Sequence, residues 1–402
     1  MRVEDLGMFR FLHEVLNRVN VAYVATYPPA ECGIATFTRD LVTAIQKFTP
    51  FSEPRVVAIN EEGHILRYDT RYVRHTISKQ DKESYQEAAD YLNAQPVDVV
   101  SVQHEFGIFG GPEGEYLIDF LAAIRKPIVT TLHTVVLKPW GTMRAGVEAI
   151  FKYSDTVVAM LDSARDILAE VYQVDTSKLR IIPHGVPNVP RLPIETAKKG
   201  LGLQGRRVIS TFGLVSRGKG LEYAIQAMPA VVERFPDALY LILGETHPSV
   251  RRSEGEVYRN ELDEWVRTLG LRRHVRFDNR YLTLEELVNY LSATDVYVTP
   301  YVNPDQIVSG TLAYAIGCGR AIVSTPYLYA QSVLSENRGV LAQFGDPASI
   351  AQGILRILGD DKYRGCLEDN CYQWGRRTTW HNVAIEYLDA FHGVMSGRRS
   401  AG

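Results

Sequence analysis

The sequence of 402 residues is short of several features, and each shortage removes a class of protein. Positive charge is not in excess, since 44 Lys and Arg residues are balanced by 47 Asp and Glu residues, for a net charge of -3. This balance disfavours binding to nucleic acid or to an anionic membrane. No apolar run approaches the roughly 20 residues that span a bilayer, and the N-terminus lacks the apolar core and cleavage site of a signal peptide. We therefore expect a cytoplasmic protein without a transmembrane segment.

Cysteine is scarce as well. The four cysteines, Cys32, Cys318, Cys366 and Cys371, include no CxxC pair. This usage is typical of reduced, mostly buried cysteines in a cytoplasmic protein. Cys366 and Cys371 lie nearest each other in the sequence, but no histidine cluster accompanies them, so we expect no metal site.

Signatures of nucleophilic and metal-dependent hydrolases are missing. The sequence holds no GxSxG, no HExxH, no EF-hand loop and no GxxxxGK[ST] loop. Ser309 lies in VSGT, which lacks the first glycine of the GxSxG elbow. These absences disfavour hydrolase chemistry that depends on a protein nucleophile.

What the sequence does contain is an alternation of strand and helix patterns. In the first half, strand patterns occur at 21–26, 55–59, 97–103, 128–132, 156–160 and 179–183, with helical patterns at 34–48, 82–93, 113–125, 143–153 and 163–172. The alternation pauses at 184–205, where Pro187, Pro190 and Pro193 predict a linker. It then resumes with strands at 208–212, 239–243, 275–278 and 296–300, and with helices at 221–234, 257–269 and 284–293. Such alternation predicts two α/β domains with parallel, doubly wound sheets.

Both ends of the chain show helical periodicity. Residues 1–20 carry apolar side chains at helical spacing and charges of both signs, which predicts a helix packed on the protein rather than on a membrane. Helical patterns also fill 348–358, 363–376 and 381–395, and Trp374 and Trp380 flank a predicted bend.

The stretch 296–326 holds the first candidate site. Its sequence, VYVTPYVNPDQIVSGTLAYAIGCGRAIVSTP, predicts a strand, a polar loop, a helix and a second strand. In open α/β sheets ligands bind at the carboxyl ends of strands, where a helix N-terminus directs its amides at an anion or a hydroxyl-rich group. Ser309, Gly310 and Thr311 supply small side chains where this helix begins. An ordinary turn explains the segment, taken alone, equally well.

Two cations follow the first strand of the second half. Arg217 and Lys219 alternate with Gly218 and Gly220 between that strand and the next helix. Arginine grips two oxygens at once and lysine adds a mobile point charge, so the loop favours a diphosphate. The alternative is a basic loop that only faces solvent.

Polar residues also follow strands of the first half. Gly33 lies at a strand-to-helix junction, where its backbone is able to approach a phosphate. His133 follows the strand at 128–132, and His104 and Glu105 end the strand before it. Each alone is more often a structural loop residue, but together they place titratable groups at two strand ends of one domain. The pattern predicts a sugar or polyol bound beside a phosphate, between two domains.

These segments, in this order, resemble the family-4 retaining glycosyltransferases of the GT-B fold. The matching segments are YPPAECGIATFTRDL, TTLHT, IIPHGV, FGLVSRGKGLEYAI, ATDVYVTP, AIGCGRAIVST and the terminal helix after RRTTW. The resemblance implies two Rossmann-like domains that face each other across a cleft, with a C-terminal helix that crosses back to the first domain. We expect an acceptor domain at 1–185, a linker at 186–205, a donor domain at 206–375 and the returning helix at 376–402.

The resemblance also implies roles for the candidate residues. In such enzymes the C-terminal domain binds a nucleotide-diphosphate sugar. By position, Arg217 and Lys219 would hold the donor diphosphate, and Gly33 would offer its amide to the same phosphate. His133 would lie by the donor sugar and assist the reacting centre, and the loop 306–311 would contact the hydroxyls of the transferred sugar.

Some positions depart from the family pattern. Gln306 and Tyr314 stand where the family carries a Glu-x7-Glu pair, whose carboxylates contact the sugar and the nucleotide ribose. Gln306 keeps hydrogen bonding without the charge, with Asp305 beside it, whereas Tyr314 cannot accept two hydroxyl protons as a carboxylate does. Leu214 replaces the usual arginine, and Arg217, three residues on, is the expected substitute.

The sequence therefore predicts a retaining hexosyltransferase that needs neither metal nor cofactor. It would move mannose or glucose from a nucleotide-diphosphate sugar to a small or lipid-linked acceptor. The sequence leaves open whether the protein forms a homo-oligomer. Gln306 and Tyr314 also leave open a phosphorylase of the same fold that uses orthophosphate. A non-catalytic scaffold that binds a sugar nucleotide is a third alternative, against which Arg217, Lys219 and His133 argue.

Overall fold

The structure is a computed structural model that describes residues 18–399 except 62, 64 and 65. The helix predicted for residues 1–20 therefore lies almost wholly outside the described residues. By its contacts the chain forms two compact units, one of residues up to Gly185 together with those from Trp380 onward, and one of Val186–Thr379. None of the helices in the described ranges has both the length and the apolar character needed to cross a bilayer.

Parallel sheets form the centre of each unit. The strands are β1 (Val21–Ala25), β2 (Arg55–Asn60), β3 (Val73–Ser78), β4 (Val99–His104), β5 (Ile128–Leu132), β6 (Thr156–Ala159), β7 (Leu179–Ile181), β8 (Arg207–Phe212), β9 (Ala238–Leu243), β10 (Val275–Asp278), β11 (Val296–Thr299), β12 (Ala321–Ser324) and β13 (Val340–Leu341). The first unit orders its seven strands β3-β2-β1-β4-β5-β6-β7, and the second orders its six β10-β9-β8-β11-β12-β13.

Helices connect the strands. They are α1 (Gly33–Phe48), α2 (Lys82–Ala94), α3 (Tyr116–Ala123), α4 (Met143–Tyr153), α5 (Ser163–Ile167, continued by a π-helical turn over Leu168–Tyr172), α6 (Ile194–Gly200), α7 (Leu221–Arg234), α8 (Pro248–Glu254), α9 (Val257–Thr268), α10 (Leu284–Ser292), α11 (Gly310–Gly317), α12 (Leu328–Val333), α13 (Pro347–Leu358), α14 (Asp361–Arg377) and α15 (Trp380–Arg399). Side chains fix several of their starts, as in the capping box of Thr283 and Glu286 at α10.

The sheets are buried on both faces. All residues of β1 and β4 are buried, which explains their continuous apolar sequences. In the second unit, Ile209 packs on one face of the sheet, in the larger apolar cluster, whereas its neighbour Val208 packs in the smaller one. The α/β, doubly wound fold class is therefore confirmed.

Each sheet has one point at which the strand order reverses. In the first unit the chain fills the sheet outward from β1 through β2 and β3, and then continues on the other side of β1 from β4. In the second unit the same reversal falls between β8 and β11. Crossovers leave to opposite faces there, so a crevice opens at the carboxyl ends of the two strands.

The segment 186–205, for which we predicted a linker, lies in the second unit and contains α6. Lys198 on this helix is buried and its ammonium lies 2.9 Å from the carboxylate of Asp295. The prolines just before it hid this short helix from the sequence pattern.

The terminal helix α15 belongs to the first unit, where it packs against α1 and beside β4 and β5. The Tyr387 hydroxyl is within 2.9 Å of the Thr131 hydroxyl on β5. Trp380 stacks edge-on against Phe37 of α1, with ring centroids 5.0 Å apart. The helix begins at Trp380, after the short break that separates it from α14.

Candidate functional site

In both units the residues singled out from the sequence lie at the carboxyl ends of strands at the reversal point or next to it. Gly33 follows β1, His104 and Glu105 end β4, and His133 follows β5. In the second unit, Lys219 follows β8 and the loop 305–311 follows β11.

Lys219 is the cation that faces the reversal point of the second unit. Its ammonium donates to the Tyr301 hydroxyl at 2.8 Å, and the Tyr301 hydroxyl lies 2.6 Å from that of Thr311 in the first turn of α11. Thr311 and Ser309 hydroxyls are 3.2 Å apart. The loop after β8 and the start of α11 are thus joined by one chain of hydroxyl groups.

Backbone contacts hold the Lys219 loop against the end of β11. The Val302 amide donates to the Gly218 carbonyl at 3.2 Å. Gly220 adopts a left-handed φ of 58°, and a Cβ at this position would lie 2.2 Å from the Pro300 carbonyl oxygen. Only glycine meets both conditions, so Gly220 fixes where Lys219 points.

We expect Gly220→Ala to lower the melting temperature and to weaken binding of inorganic pyrophosphate. The left-handed backbone alone costs a non-glycine residue about 1–2 kcal/mol, and the contact with Pro300 must also be relieved. Gly218→Ala is the matched control, since no described atom lies within 4 Å of a Cβ there. Equal melting temperatures and affinities in the two variants, by calorimetry, would contradict this account of the loop.

Arg217, two residues before Lys219, has other partners. Its guanidinium donates two hydrogen bonds to Glu261 on α9, at 2.7 and 2.8 Å, and lies 3.6 Å from Glu254. About half of the Arg217 side chain is exposed. Its charge is therefore already balanced by carboxylates on the α8–α9 side, whereas Lys219 turns toward α11.

The loop before α11 is ordered by its own hydrogen bonds. Ser309 caps the helix, and its hydroxyl accepts from the Leu312 amide at 3.3 Å. The Gln306 side chain donates to the Val308 carbonyl at 2.8 Å, and the Asp305 amide donates to the Asn303 side chain at 3.1 Å. The first amides of α11, those of Gly310 and Thr311, lie at the end of the helix that favours an anion.

Tyr314 lies one turn further along α11. It is buried, with its ring centroid 6.4 Å from that of Phe212 at the end of β8. At this position the helix therefore contributes an aromatic side chain packed on the sheet.

His133 is held in one tautomer in the first unit. Its Nε2 lies 3.0 Å from the Gln103 side-chain oxygen, and the Gln103 amide group donates to Ser101. Since that oxygen only accepts, Nε2 carries the proton. Burial, with smaller contributions from His184 and His104, lowers the His133 pKa to about 3. The imidazole is therefore neutral at physiological pH.

His104 is buried beside it, and Glu105 is half-buried. His104 is buried, its pKa falls to about 3 because of that burial, and its Nδ1 has no hydrogen-bond partner among the described residues. The Glu105 carboxylate accepts from the Thr134 hydroxyl, yet burial raises its pKa. The backbone links the strands, since the His133 amide donates to the His104 carbonyl at 2.9 Å.

Gly33 opens α1, one residue after the cap. The Cys32 sulfur accepts from the Ala35 amide at 3.3 Å and lies 3.0 Å from the Thr26 hydroxyl. In the described part of the chain, no atom lies within 4 Å of a Cβ placed on Gly33. Space for a ligand is thus open beside this helix start.

Sequence reasoning missed Tyr301 and Gln103, whose side chains hydrogen-bond Lys219 and His133. Both stand close to a candidate residue on the fold but far from it in the sequence, 82 residues away for Tyr301 and 30 for Gln103. The one signal that pointed to them was their place at the carboxyl ends of β11 and β4. In the second unit, the result is an ammonium that has no ion pair among the described residues and lies beside a helix N-terminus, a combination suited to a phosphate ester.

Comparisons with known proteins assign both halves of the chain to described families. Residues 206–360 match the model for glycosyl transferases group 1, and residues 33–188 match the model for glycosyltransferase family 4. The first match contains Lys219 and the loop before α11, and the second contains Gly33, His104 and His133.

Curated relatives are similar at low identity. A D-inositol 3-phosphate glycosyltransferase of Corynebacterium urealyticum is 26% identical over 255 residues, which are 61% of this chain and 58% of that protein. A phosphatidyl-myo-inositol mannosyltransferase of Mycobacterium leprae is 25% identical over 285 residues, which are 71% of this chain and 68% of that protein. The match to the first thus spans less than two thirds of its length.

Solved structures share the fold. A sucrose-phosphate synthase from Thermosynechococcus elongatus has a TM-score of 0.76 at 17% identity, covering 94% of this chain and 100% of that chain. Anabaena Alr3699/HepE in complex with UDP-glucose has a TM-score of 0.72 at 14% identity, covering 93% and 99%. At these identities the likeness establishes the fold alone.

Proposed function

The chain belongs to the family-4 glycosyltransferases and has their GT-B fold, and on this premise we propose that it is a retaining hexosyltransferase. It would move mannose or glucose from a nucleotide-diphosphate sugar to a small or lipid-linked acceptor. Lys219 and the first turn of α11 would bind the donor diphosphate, and the first unit would bind the acceptor. Arg217 would contribute less than Lys219, because carboxylates already balance its charge.

One observation carries the proposal. The Lys219 ammonium and the N-terminus of α11 lie at the carboxyl ends of β8 and β11, where the strand order of their sheet reverses. Open α/β sheets bind phosphate-bearing ligands at this place. Lys219 makes no ion pair among the described residues, so its charge is available to an incoming phosphate.

The chemistry needs no protein nucleophile. The bond between the anomeric carbon and the diphosphate oxygen breaks, and the acceptor hydroxyl forms its bond to that carbon on the same face. The hydroxyl proton passes to an oxygen of the departing diphosphate. Lys219 and the α11 amides would stabilise the charge that builds on that group, and electrostatic help of this kind supplies a large part of many catalytic effects. A metal ion has no required part, so EDTA should leave the rate unchanged.

The acceptor is proposed from the relatives and from the first unit. The two curated relatives are named for inositol phosphate and phosphatidyl-inositol acceptors, which supports a hydroxyl-rich acceptor ring. The neutral His133 and the half-buried Glu105 offer hydrogen-bonding groups of suitable polarity. Gly33 would leave room for a phosphate at the start of α1.

The test is a thermal-shift panel of UDP, GDP and ADP sugars, followed by a transfer assay with the nucleotide that binds. A ligand that binds only the folded chain raises the melting temperature by mass action. We expect one base to be selected, and release of that nucleoside diphosphate to depend on an added acceptor. No response to any nucleotide would overturn the proposal. Release of a sugar phosphate that requires orthophosphate would instead identify a phosphorylase.

A further inference from the structure

Tyr301 connects the two parts of the candidate site in the second unit. It follows β11, is wholly buried, and stacks on Tyr327 with ring centroids 5.2 Å apart and planes 17° apart. Its carbonyl accepts from the Thr325 hydroxyl at 2.6 Å. Both its ring and its backbone are thus fixed, so its hydroxyl occupies a defined position at the end of the sheet.

The hydrogen bonds of this hydroxyl have a fixed direction. A lysine ammonium donates and never accepts, so the Tyr301 oxygen accepts from Lys219 at 2.8 Å. The Tyr301 proton is then free to be donated to the Thr311 hydroxyl, 2.6 Å away. One phenol group therefore joins the loop after β8 to the first turn of α11.

The chemical type of the hydrogen-bond acceptor also determines whether the charge of Lys219 is balanced. A carboxylate would balance the ammonium, as Glu261 and Glu254 balance Arg217. A neutral hydroxyl holds the ammonium in place and leaves its charge uncompensated. The Tyr301 ring also helps to hold the ammonium in place. The ammonium lies 4.1 Å from the ring centroid, and a cation is attracted to an aromatic ring.

We propose that Tyr301 is a positioning residue that orients the Lys219 ammonium for the diphosphate of the donor without neutralising it. This inference rests on the proposed function, because it assigns the same site one further residue. The effect of Lys219 on the pKa of Tyr301 agrees with this proposal. Burial by itself would raise the pKa of Tyr301, but the Lys219 charge and the hydrogen bonds outweigh burial and lower it.

The experiment compares Tyr301→Phe with Tyr327→Phe, using calorimetry with inorganic pyrophosphate as a probe that does not depend on the base. Both variants keep the stacked rings, but only Tyr301→Phe removes the hydroxyl that holds Lys219; the Tyr327 hydroxyl lies 3.5 Å from Thr299 instead. We expect Tyr301→Phe to weaken pyrophosphate binding about tenfold, the size of one hydrogen bond to a charged group. Tyr327→Phe should bind like the unmodified chain.

A double-mutant cycle separates positioning from a general structural role. If Tyr301 acts through Lys219, adding Tyr301→Phe to Lys219→Ala should weaken binding no further. If Tyr301→Phe fails to fold, Thr311→Val removes the hydroxyl that fixes the orientation of the Tyr301 O–H; it should weaken binding in the otherwise unmodified chain and no further in Lys219→Ala.

The outcomes are distinguishable. Equal losses in Tyr301→Phe and Tyr327→Phe, or additive losses in the double variant, would show a structural role and overturn the inference. Unchanged binding in Tyr301→Phe with a loss in Lys219→Ala would overturn it and leave the proposed function standing. If the unmodified chain binds neither pyrophosphate nor a nucleoside diphosphate, the proposed function fails as well.

Discussion

Lys219→Ala should reduce kcat/KM for the donor by about 100- to 1000-fold, the size of effect seen when one stabilising contact to a developing oxyanion is removed. The Lys219 ammonium is held at the reversal point of the second sheet by Tyr301, and no carboxylate among the described residues balances it. Without this ammonium, the backbone amides at the start of α11 would be the positive groups left to stabilise the diphosphate. The measurement is release of the nucleoside diphosphate under steady-state conditions.

Arg217→Ala is the matched control for charge and position. It removes a cation from the same short loop, but one that already donates two hydrogen bonds to Glu261. We expect kcat/KM to fall less than about threefold, since an exposed ion pair contributes little. Melting temperatures of the two variants should agree, so that folding does not explain the difference. Comparable losses in both would show that Arg217 exchanges Glu261 for the donor, and unchanged turnover in both would remove the diphosphate assignment.

Much of the fold could be predicted from the sequence, because buried parallel strands and amphipathic helices leave strong local patterns. The bounds of β5, β10, α4 and α7 agree with their sequence patterns. β3 was missed because it lies at the edge of its sheet, and Val73 and Ile77 are the buried members of an otherwise polar sequence. α6 was missed because it is short and follows a run of prolines.

The location of the candidate site followed from the sequence, but its contacts did not. Residues after strands at a reversal point converge by topology alone, which is why Lys219 and Ser309 were identified. Their partners depend on side chains brought together over long separations, and no local spacing encodes these contacts. The sequence treats Arg217 and Lys219 as equivalent cations. Only the fold shows that Arg217 pairs with Glu261, 44 residues away. It likewise shows that Lys219 donates to Tyr301, 82 residues away.

The same dependence on distant contacts explains why α6 belongs to the second unit. Lys198 and Asp295 are both almost wholly buried, with side chains 5% and 4% exposed, and pair at 2.9 Å. The same carboxylate accepts from the Val208 amide at 2.7 Å, and Arg364 lies 3.9 Å away. One aspartate therefore anchors α6 to the first residues of β8, the strand whose other end carries Lys219.

Asp295→Ala should destabilise the second unit by about 3–5 kcal/mol, because it leaves the Lys198 ammonium without its buried partner and with only the exposed Glu195, 3.3 Å away. Urea unfolding gives the loss of stability, and hydrogen exchange should show faster exchange in peptides from α6 and β8. The double variant Asp295→Ala with Lys198→Met removes both charges and should lose less stability than Asp295→Ala alone. Glu264→Ala, which breaks the exposed pair of Glu264 with Arg267, should leave unfolding unchanged. A double variant as unstable as Asp295→Ala would show that the Val208 hydrogen bond and local packing, rather than the charge on Lys198, set the cost.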